Sequence, residues 1–376
     1  MKKGLAALAA LVVLATLIAI FLRELYRPYQ GYRGNVMVVI EPRMRAPAVA
    51  ELLVARGVLA RRWPFLLRYA LGRQWNRLKA GEYFFDHPIA PIDVYRKLIR
   101  GEVFLHAVVV PEGFDRFDIA RIVHEQLGIP PEEFLAAAAQ PFSIRDLDSR
   151  APSLEGYLFP DTYRFPRGVD ARTVAGAMVA RFRRVLESKL HEDLARSPRD
   201  LHGVVTLASL VEKETSDPAE RSIIAGVFER RLRRGWPIQC DPTVIYAQRL
   251  NHHFLERPLG PILQRDLNYD SPYNTYRHAG LPPGPIASPG EASLRAAFNP
   301  APGDLLYFVS NNHGGHIFAR TLAEHRRNVA RYQREVAALR RVARQKSQSS
   351  ERASSKKRRE GSGATPSSAK SAELKN

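Results

Sequence analysis

Two glutamates, Glu212 and Glu214, interrupt the apolar segment TLASLVEKET at 206–215. A carboxyl group can both donate and accept a proton, and it works best as an acid near neutral pH when burial raises its pKa. These residue types therefore permit general acid–base chemistry, provided that one of the two carboxyl groups lies in an apolar setting.

The period of an α-helix distinguishes the two glutamates. The apolar spacing predicts a helix over 203–215. Each helical residue turns by about 100°, so that, with Leu207 at zero, Glu214 falls at about −20° and Glu212 at about 140°. Glu214 therefore lies in the apolar stripe, whereas Glu212 is predicted to be solvated. Pairing with an arginine or a lysine is the structural alternative for a buried Glu214.

The end of this helix adds to the effect of burial. The segment Asp217-Pro218-Ala219-Glu220 is typical of a helix start, with Asp217 as N-cap and Pro218 at the first helical position. Glu214 is thus predicted in the last turn of the preceding helix, where the helix dipole disfavours an anion. Both effects raise the pKa of Glu214 toward the value that a general acid needs at pH 7.

The elements that must position these residues define an α+β chain. We predict a small α+β module at 36–108, a larger and mainly helical α+β domain at 109–343, and a disordered basic tail at 344–376, which has almost no apolar residue. Predicted helices cover 47–57, 63–77, 91–99, 115–126, 131–139, 171–193, 203–215, 218–234, 290–298 and 321–343. Predicted strands cover 36–40, 80–85, 103–110 and 305–310.

The N-terminal segment predicts a membrane anchor. Residues 4–22 contain no charge in nineteen positions, and as a helix they would span roughly 28 Å, close to the thickness of a bilayer core. The run ends in bulky residues and not in a small-residue cleavage site, which favours an uncleaved anchor over a signal peptide. We expect residues 1–3 in the cytoplasm and, beyond a linker at 23–35, the remainder on the periplasmic side of the cell (inner) membrane.

Charge and cysteine content narrow the class of protein further. The chain has 57 Lys and Arg against 38 Asp and Glu, a formal net charge of +19, which favours anionic partners such as lipid headgroups or an acidic polymer, and equally favours solubility. Nucleic acid is not an expected partner, because no base-reading module is recognisable. Cys240 is the single cysteine, so no intramolecular disulfide and no cysteine-rich zinc site can form.

Five sequence blocks resemble one family, the endolytic murein transglycosylases of the YceG-like family. They are LEGYLFPDTYRFP (154–166), SLVEKET (209–215), VFERRLRRGWPIQCDPTVIYA (227–247), YNTYRHAGLPPGPIASPG (273–290) and FVSNNHGGHIFARTLAEH (308–325). The resemblance covers roughly 36–335 and implies that the small module is LysM-like, while the tail lies outside it. Cys240 stands where the family usually has a small hydroxyl residue, a change expected to affect packing or oxidation but not the acid.

The resemblance also implies an activity. The family cleaves glycan strands of peptidoglycan with one catalytic glutamate, which corresponds to Glu214 in the Glu-Lys-Glu-Thr block. Protonated Glu214 would protonate the glycosidic oxygen between N-acetylmuramic acid and N-acetylglucosamine. The carboxylate would then deprotonate the muramoyl 6-hydroxyl as that oxygen attacks C1, leaving a 1,6-anhydro end. No water, metal or cofactor takes part.

Substrate-binding residues follow from the resemblance together with side-chain chemistry. The candidates to line the cleft are Glu155, Gln239, Asp241, Thr243, Tyr273, Asn274 and Tyr276. Amides and carboxylates can bond sugar hydroxyls, and tyrosines offer flat faces to sugar rings. Asp241-Pro242-Thr243 is equally typical of a helix cap. His313 and His316 have a spacing reminiscent of metal ligands, but the two glycines between them and the lack of a third ligand favour a loop.

Other functions are compatible with the same residues. A non-catalytic cell-wall-binding or scaffold protein would use the small module to hold glycan. A glycoside hydrolase would pair Glu214 with Asp241 or Glu155 as a second carboxylate. A membrane-tethered nucleic-acid binder is suggested by charge alone. For the transglycosylase, the expected partners are glycan strands, the membrane and, by the resemblance, the cell-wall synthesis machinery.

Overall fold

A computed structural model of the chain describes residues 2–72, 78–251, 262–332 and 334. Three predictions fall wholly or partly outside the described residues: the C-terminal parts of the predicted helices 63–77 and 321–343, and the predicted disordered tail at 344–376. The predicted α+β class is confirmed, with helices in the majority.

Helices and strands alternate irregularly along the chain. The helices are α1 (Lys2–Tyr26), α2 (Ala46–Ala55), α3 (Trp63–Leu71), α4 (Pro91–Arg100), α5 (Arg116–Leu127), α6 (Pro131–Ala138), α7 (Ala171–Lys189), α8 (His191–Arg196), α9 (Leu201–Glu214), α10 (Pro218–Arg233), α11 (Asp241–Asn251) and α12 (Glu291–Phe298), and a further helix begins at 322. The strands are β1 (Val36–Ile40), β2 (Gly81–Phe85), β3 (His106–Val109), β4 (Thr162–Phe165), β5 (Tyr307–Ser310) and β6 (His316–Ala319).

The strands form three antiparallel pairs in the described residues: β1 with β2, β3 with β4, and β5 with β6. In the first pair Val36 lies opposite Phe85, and in the third Ser310 lies opposite His316. Each pair has one face against helices, which a two-stranded sheet needs because it cannot bury enough apolar surface alone.

The small N-terminal unit has a hydrophobic core of its own. Phe65 of α3 and Tyr83 of β2 are fully buried there, together with Val38 of β1. The strand predicted next to the boundary at 108 differs in the structure. The strand predicted over 103–110 is shorter, starts at His106 and pairs with β4, and its Val108 belongs to the core of the larger unit. A strand can be predicted from local residue types, but its partner cannot.

The apolar N-terminal helix is longer than the predicted span. Among the residues that the structure describes, α1 is the single helix long and apolar enough to cross a membrane. It continues to Tyr26, and Leu25 is buried against Ala90 and Ile92. The predicted linker at 23–35 is therefore not a free tether, since its first residues are helical and packed on the small unit.

Helix α9 occupies the centre of the larger unit. Leu207, Leu210 and Val211 are fully buried, and α9 packs against α10, α11 and α12. Such burial on several sides fixes the position and direction of the helix. Its last residue, Glu214, is therefore held by the core and not by a loop.

Candidate active site

Local signals set both ends of α9. The Asp200 side chain accepts a hydrogen bond from the Gly203 N–H at 2.9 Å, so the helix begins two residues before the predicted start. It ends at Glu214, and Asp217 caps α10 by accepting from the Ala219 N–H at 2.9 Å. The predicted helix end and the predicted new start are both confirmed, which places Glu214 at a C-terminal helix end.

Glu214 is partly buried, and its charged and polar neighbours come from α10, from β6 and from the start of α11 with the preceding Cys240. Burial is the largest influence and raises its pKa, and the negative charge of Asp241 acts in the same direction. A hydrogen bond with the Cys240 thiol and the charges of His316 and Arg231 oppose this without reversing it. Glu214 therefore keeps its proton to a higher pH than an ordinary carboxyl group does.

Glu212 is not solvated, contrary to the helical-wheel prediction. Its side chain is only 6% exposed, lies 3.4 Å from the Arg221 guanidinium and accepts a hydrogen bond from the Gly290 N–H at 3.0 Å. The prediction assumed that one face of α9 meets water. Because α10 and the start of α12 cover that face, the Glu212 carboxylate is buried and is stabilised by an ion pair with Arg221, the kind of pairing considered above for Glu214.

Cys240 contributes directly to the surroundings of the acid. It is fully buried and free, and its N–H donates to the Thr275 hydroxyl at 3.0 Å. Burial raises the pKa of the thiol well above its usual value, and the nearby Glu214 carboxyl raises it further. The thiol stays neutral and can donate to Glu214 as a hydroxyl would. The thiol therefore acts on the pKa of the neighbouring acid, an influence that the expected effects on packing and oxidation did not include.

A Glu220–His316 pair lies beside Glu214 and was missed from the sequence. Glu220 accepts from the backbone N–H of His316 and from its Nδ1, both at 2.7 Å, and from the Thr215 hydroxyl at 3.0 Å. Burial raises the pKa of Glu220, but these hydrogen bonds outweigh it and hold the pKa below the usual value. No local signal could have found the pair, because its members are 96 positions apart.

The NHGGH segment forms the turn of the β5–β6 hairpin, and His316 is the first residue of β6. The interpretation as a loop holds for the residues before His316. In the described part of the chain no three His, Cys, Asp or Glu side chains are grouped so that they could hold a metal ion.

Three of the predicted substrate-binding residues lie near Glu214 with accessible side chains. Gln239 and Asp241 are exposed and flank Cys240, and the Tyr276 hydroxyl donates to Asp241. Gln239 has φ 56°, a left-handed conformation that costs a non-glycine residue free energy, and its N–H donates to the Thr275 carbonyl at 3.1 Å. This strained turn sets the direction of the chain as it enters α11.

Thr243 and Asn274 are fully buried and are not placed to meet a substrate. The Thr243 hydroxyl donates to the Cys240 carbonyl at 2.6 Å. The Asn274 amide donates to the carbonyls of Leu267 and Tyr269 and accepts from the Tyr276 N–H at 2.9 Å. Both side chains instead hold the loop and the helix start that carry the accessible residues.

Glu155 is also removed from solvent, at 2% exposure. Its carboxyl accepts from the Arg116 N–H and from the Tyr246 hydroxyl at 3.0 Å, which links α5 to α11. Burial, and then the charge of Asp115, raise its pKa to about 8. Tyr273 is partly exposed, with its ring centroid 5.2 Å from that of Tyr246. Of these two candidates, only Tyr273 can reach a ligand.

Gly156 explains how the segment after Glu155 can approach α9. Its φ is +84°, and a Cβ atom there would lie 2.5 Å from Pro285 and 2.9 Å from Val205. Only glycine combines this backbone conformation with so close an approach. The Glu155-Gly156 dipeptide thus anchors the 154–159 segment behind the candidate site.

The arrangement places one carboxyl group with a raised pKa at the end of a buried helix, beside accessible polar and aromatic side chains, and such a group can both donate and accept a proton. The model of the YceG-like family matches residues 38–331, and the chain belongs to this family. The resemblance noted in the sequence is thereby confirmed.

Individual relatives and a solved structure support the assignment to this family. The chain is 30% identical over 301 residues to the endolytic murein transglycosylase of Bacillus subtilis strain 168, covering 76% of this chain and 81% of that protein. It is 31% identical over 292 residues to the protein of the same name from Streptococcus pneumoniae serotype 2 strain D39, but spans only 52% of its length. A crystal structure of a yceG-like protein from Listeria monocytogenes matches with a TM-score of 0.53 and 29% identity, covering 79% of this chain and 99% of that one.

Proposed function

We propose that this protein is a membrane-anchored lytic transglycosylase that cleaves glycan strands of peptidoglycan, with Glu214 as its single catalytic acid and base. The observation that carries the proposal is the position of Glu214: a partly buried carboxyl with a raised pKa at the end of α9, within the Glu-Lys-Glu-Thr block. The relatives named endolytic murein transglycosylases support the same reaction.

The chemistry requires one group to act twice. Protonated Glu214 donates to the glycosidic oxygen as the bond from that oxygen to C1 of N-acetylmuramic acid breaks. The carboxylate then accepts the proton of the muramoyl 6-hydroxyl as its oxygen bonds to C1, which closes the 1,6-anhydro ring and restores the acid. The charges of His316 and Arg231 favour the carboxylate and that of Asp241 favours the acid, a balance that suits a group that must alternate between both forms.

The accessible neighbours of Glu214 suit a sugar substrate. Gln239 and Asp241 offer polar groups for sugar hydroxyls, while Tyr273 and Tyr276 offer partly exposed rings. The negative charge of Asp241 would also stabilise the positive charge that develops at C1 in an oxocarbenium-like transition state. We propose these four residues as substrate contacts, and Thr243, Asn274 and Glu155 as residues that position the loops.

A two-carboxylate hydrolase is the rival enzyme. Glu155 is poorly suited as its second carboxylate, because it is enclosed and bonded to Arg116 and Tyr246. Asp241 would be the partner in that case. Mass spectrometry of purified glycan strands after digestion decides between the two: we expect muramoyl ends that are lighter by one water than the reducing ends that hydrolysis leaves. Reducing ends alone would exclude the transglycosylase reaction.

Cys240 gives a second prediction, on the pH dependence of the rate. Because the thiol hydrogen bond lowers the pKa of Glu214, removing the donor in Cys240→Val raises that pKa. The alkaline limb of the rate profile, where Glu214 must still be protonated, then moves to higher pH. Cys240→Ser keeps a donor and leaves the limb close to that of the natural protein. Profiles of kcat/KM against pH measure both, and equal shifts in the two variants would show that the thiol does not donate to Glu214.

The N-terminal helix and the small unit support a location for this reaction at the membrane surface. We propose that α1 anchors the protein in the cell (inner) membrane with the catalytic unit outside the cytoplasm, where its substrate lies. The order β1–α2–α3–β2 with an antiparallel strand pair supports a LysM-like, glycan-holding role for the small unit. An association with the cell-wall synthesis machinery belongs to the same proposal.

A further inference from the structure

The end of the proposed membrane anchor is fixed directly on the small unit. Leu25 is 3% exposed and packs against Ala90 and Ile92, and the Phe21 ring lies 6.1 Å from the Trp63 ring of α3. At about 1.5 Å per helical residue, Leu25 lies only about 4–5 Å beyond Leu22, the last apolar residue of the span. No flexible segment separates the span from α3, so α3 must lie at the level where the chain leaves the membrane.

Helix α3 carries an apolar stripe that the anchor covers partly at Trp63 and that is exposed at Leu67 and Leu71. Trp63, Leu67 and Leu71 follow one another at intervals of four residues and share one side of the helix. Leu67 is 41% exposed and Leu71 66% exposed, whereas Phe65, on another side, is buried in the core of the small unit. The stripe begins at the residue that touches the anchor and runs outward from it.

Positive charges accompany this stripe. Arg61 and Arg62 are exposed immediately before α3, and Arg23 and Arg27 are exposed at and just after the end of α1. Tryptophan and arginine next to an apolar helix side are the residues that favour the headgroup layer of a bilayer, because basic side chains are attracted to anionic lipid headgroups.

From these contacts we propose that α3 lies in the headgroup layer of the same bilayer that α1 spans, with Trp63, Leu67 and Leu71 facing the lipid and the four arginines binding anionic lipid phosphates. The inference rests on the proposed anchor but not on the proposed chemistry. It makes the small unit a rigid base at the membrane surface, so that the distance of the larger unit from the bilayer is set by protein packing and not by a tether.

Spin-label accessibility in vesicles tests this assignment with the full chain. The label is placed by Leu71→Cys in a Cys240→Ser background, and the protein is reconstituted in vesicles of phosphatidylglycerol and phosphatidylcholine. We expect oxygen to collide with the label more often than a water-soluble nickel complex does, as it does inside lipid. A label at Leu147→Cys, whose leucine is 41% exposed in the larger unit, is the control and should show the reverse ratio.

Two outcomes of the spin-label experiment would contradict the placement of α3 in the headgroup layer. A label at Leu71→Cys that is as accessible to nickel as the Leu147→Cys label would overturn the proposal, and so would a label shielded from both reagents, which means that a second copy or another protein covers the stripe. A label at Leu14→Cys within α1 reports separately whether the anchor is inserted, and glycan cleavage reports separately on the proposed function. In anionic vesicles, Arg61→Glu with Arg62→Glu should shift the Leu71→Cys label toward water, with a smaller shift in vesicles of phosphatidylcholine alone.

Discussion

Glutamine in place of Glu214 is expected to lower the rate of glycan cleavage by about 10²–10⁴ while leaving the fold intact. The amide has nearly the shape of the carboxyl group but can neither protonate the glycosidic oxygen nor accept the proton of the 6-hydroxyl. Because burial and Asp241 both oppose a negative charge at this position, a neutral side chain should not reduce stability. The measurement is turnover of purified glycan strands, with thermal unfolding recorded on the same samples.

Glu212→Gln is the matched control, since it makes the same chemical change two residues earlier on the same helix. Glu212 accepts from Arg221 and from the Gly290 N–H, so its neutralisation weakens a buried ion pair and should lower the free energy of unfolding by about 1–3 kcal/mol. Its turnover at a temperature where it is folded should stay close to that of the natural protein. Unchanged cleavage by the purified Glu214→Gln protein would instead favour the non-catalytic cell-wall-binding protein.

Replacing Glu155 is expected to have a large effect on the stability of the fold. Glu155→Ala leaves the buried Arg116 N–H and the Tyr246 hydroxyl without their acceptor and should lower the free energy of unfolding by about 2–6 kcal/mol, since each buried donor left unsatisfied costs about 1–3 kcal/mol. Glu155→Gln keeps an acceptor oxygen in the same place and should cost much less. Denaturant unfolding of both variants at pH 5 measures the difference.

The pH dependence of stability provides a further check on Glu155. Its pKa in the folded protein is about 8, above the ordinary 4.5, so its contribution is complete below the ordinary value and is lost as pH rises toward 8. In that window the unfolded chain releases the proton and the folded chain keeps it, which lowers stability by up to about 1.4 kcal/mol per pH unit. Glu155→Gln removes this group, so its stability should decline less between pH 5 and 8. Parallel declines in both proteins would contradict the raised pKa.

Local residue patterns were sufficient to predict most helices and the candidate acid. The start of α10 was predicted from Asp217 and Pro218, whose capping geometry depends on residues two positions apart. The same local signals placed Glu214 in the last turn of α9. Strands were predicted less well: β4 and β6 were missed, because short strands acquire their stability from partners at distant positions.

The surroundings of the acid could not be predicted in this way. Cys240, just before α11, and His316, in the β5–β6 hairpin, are neighbours of Glu214 although they follow it by 26 and 102 positions in the chain. Thr243 and Asn274 look like sugar-binding residues by type, yet their side chains are enclosed. Whether a polar side chain meets a ligand or a backbone carbonyl depends on the path of the whole chain, which residue type does not encode.

The sequence by itself determined the α+β class, the apolar N-terminal helix and the position of Glu214 in the last turn of α9, because each follows from the helical period and from capping signals within a few residues. Only the tertiary structure decided that Glu212 is buried in an ion pair with Arg221, that the Cys240 thiol lowers the pKa of Glu214, and that the N-terminal helix is packed on the small unit. The physical reason is that burial and pKa are sums over all neighbours of a group, and most of those neighbours come from distant parts of the chain.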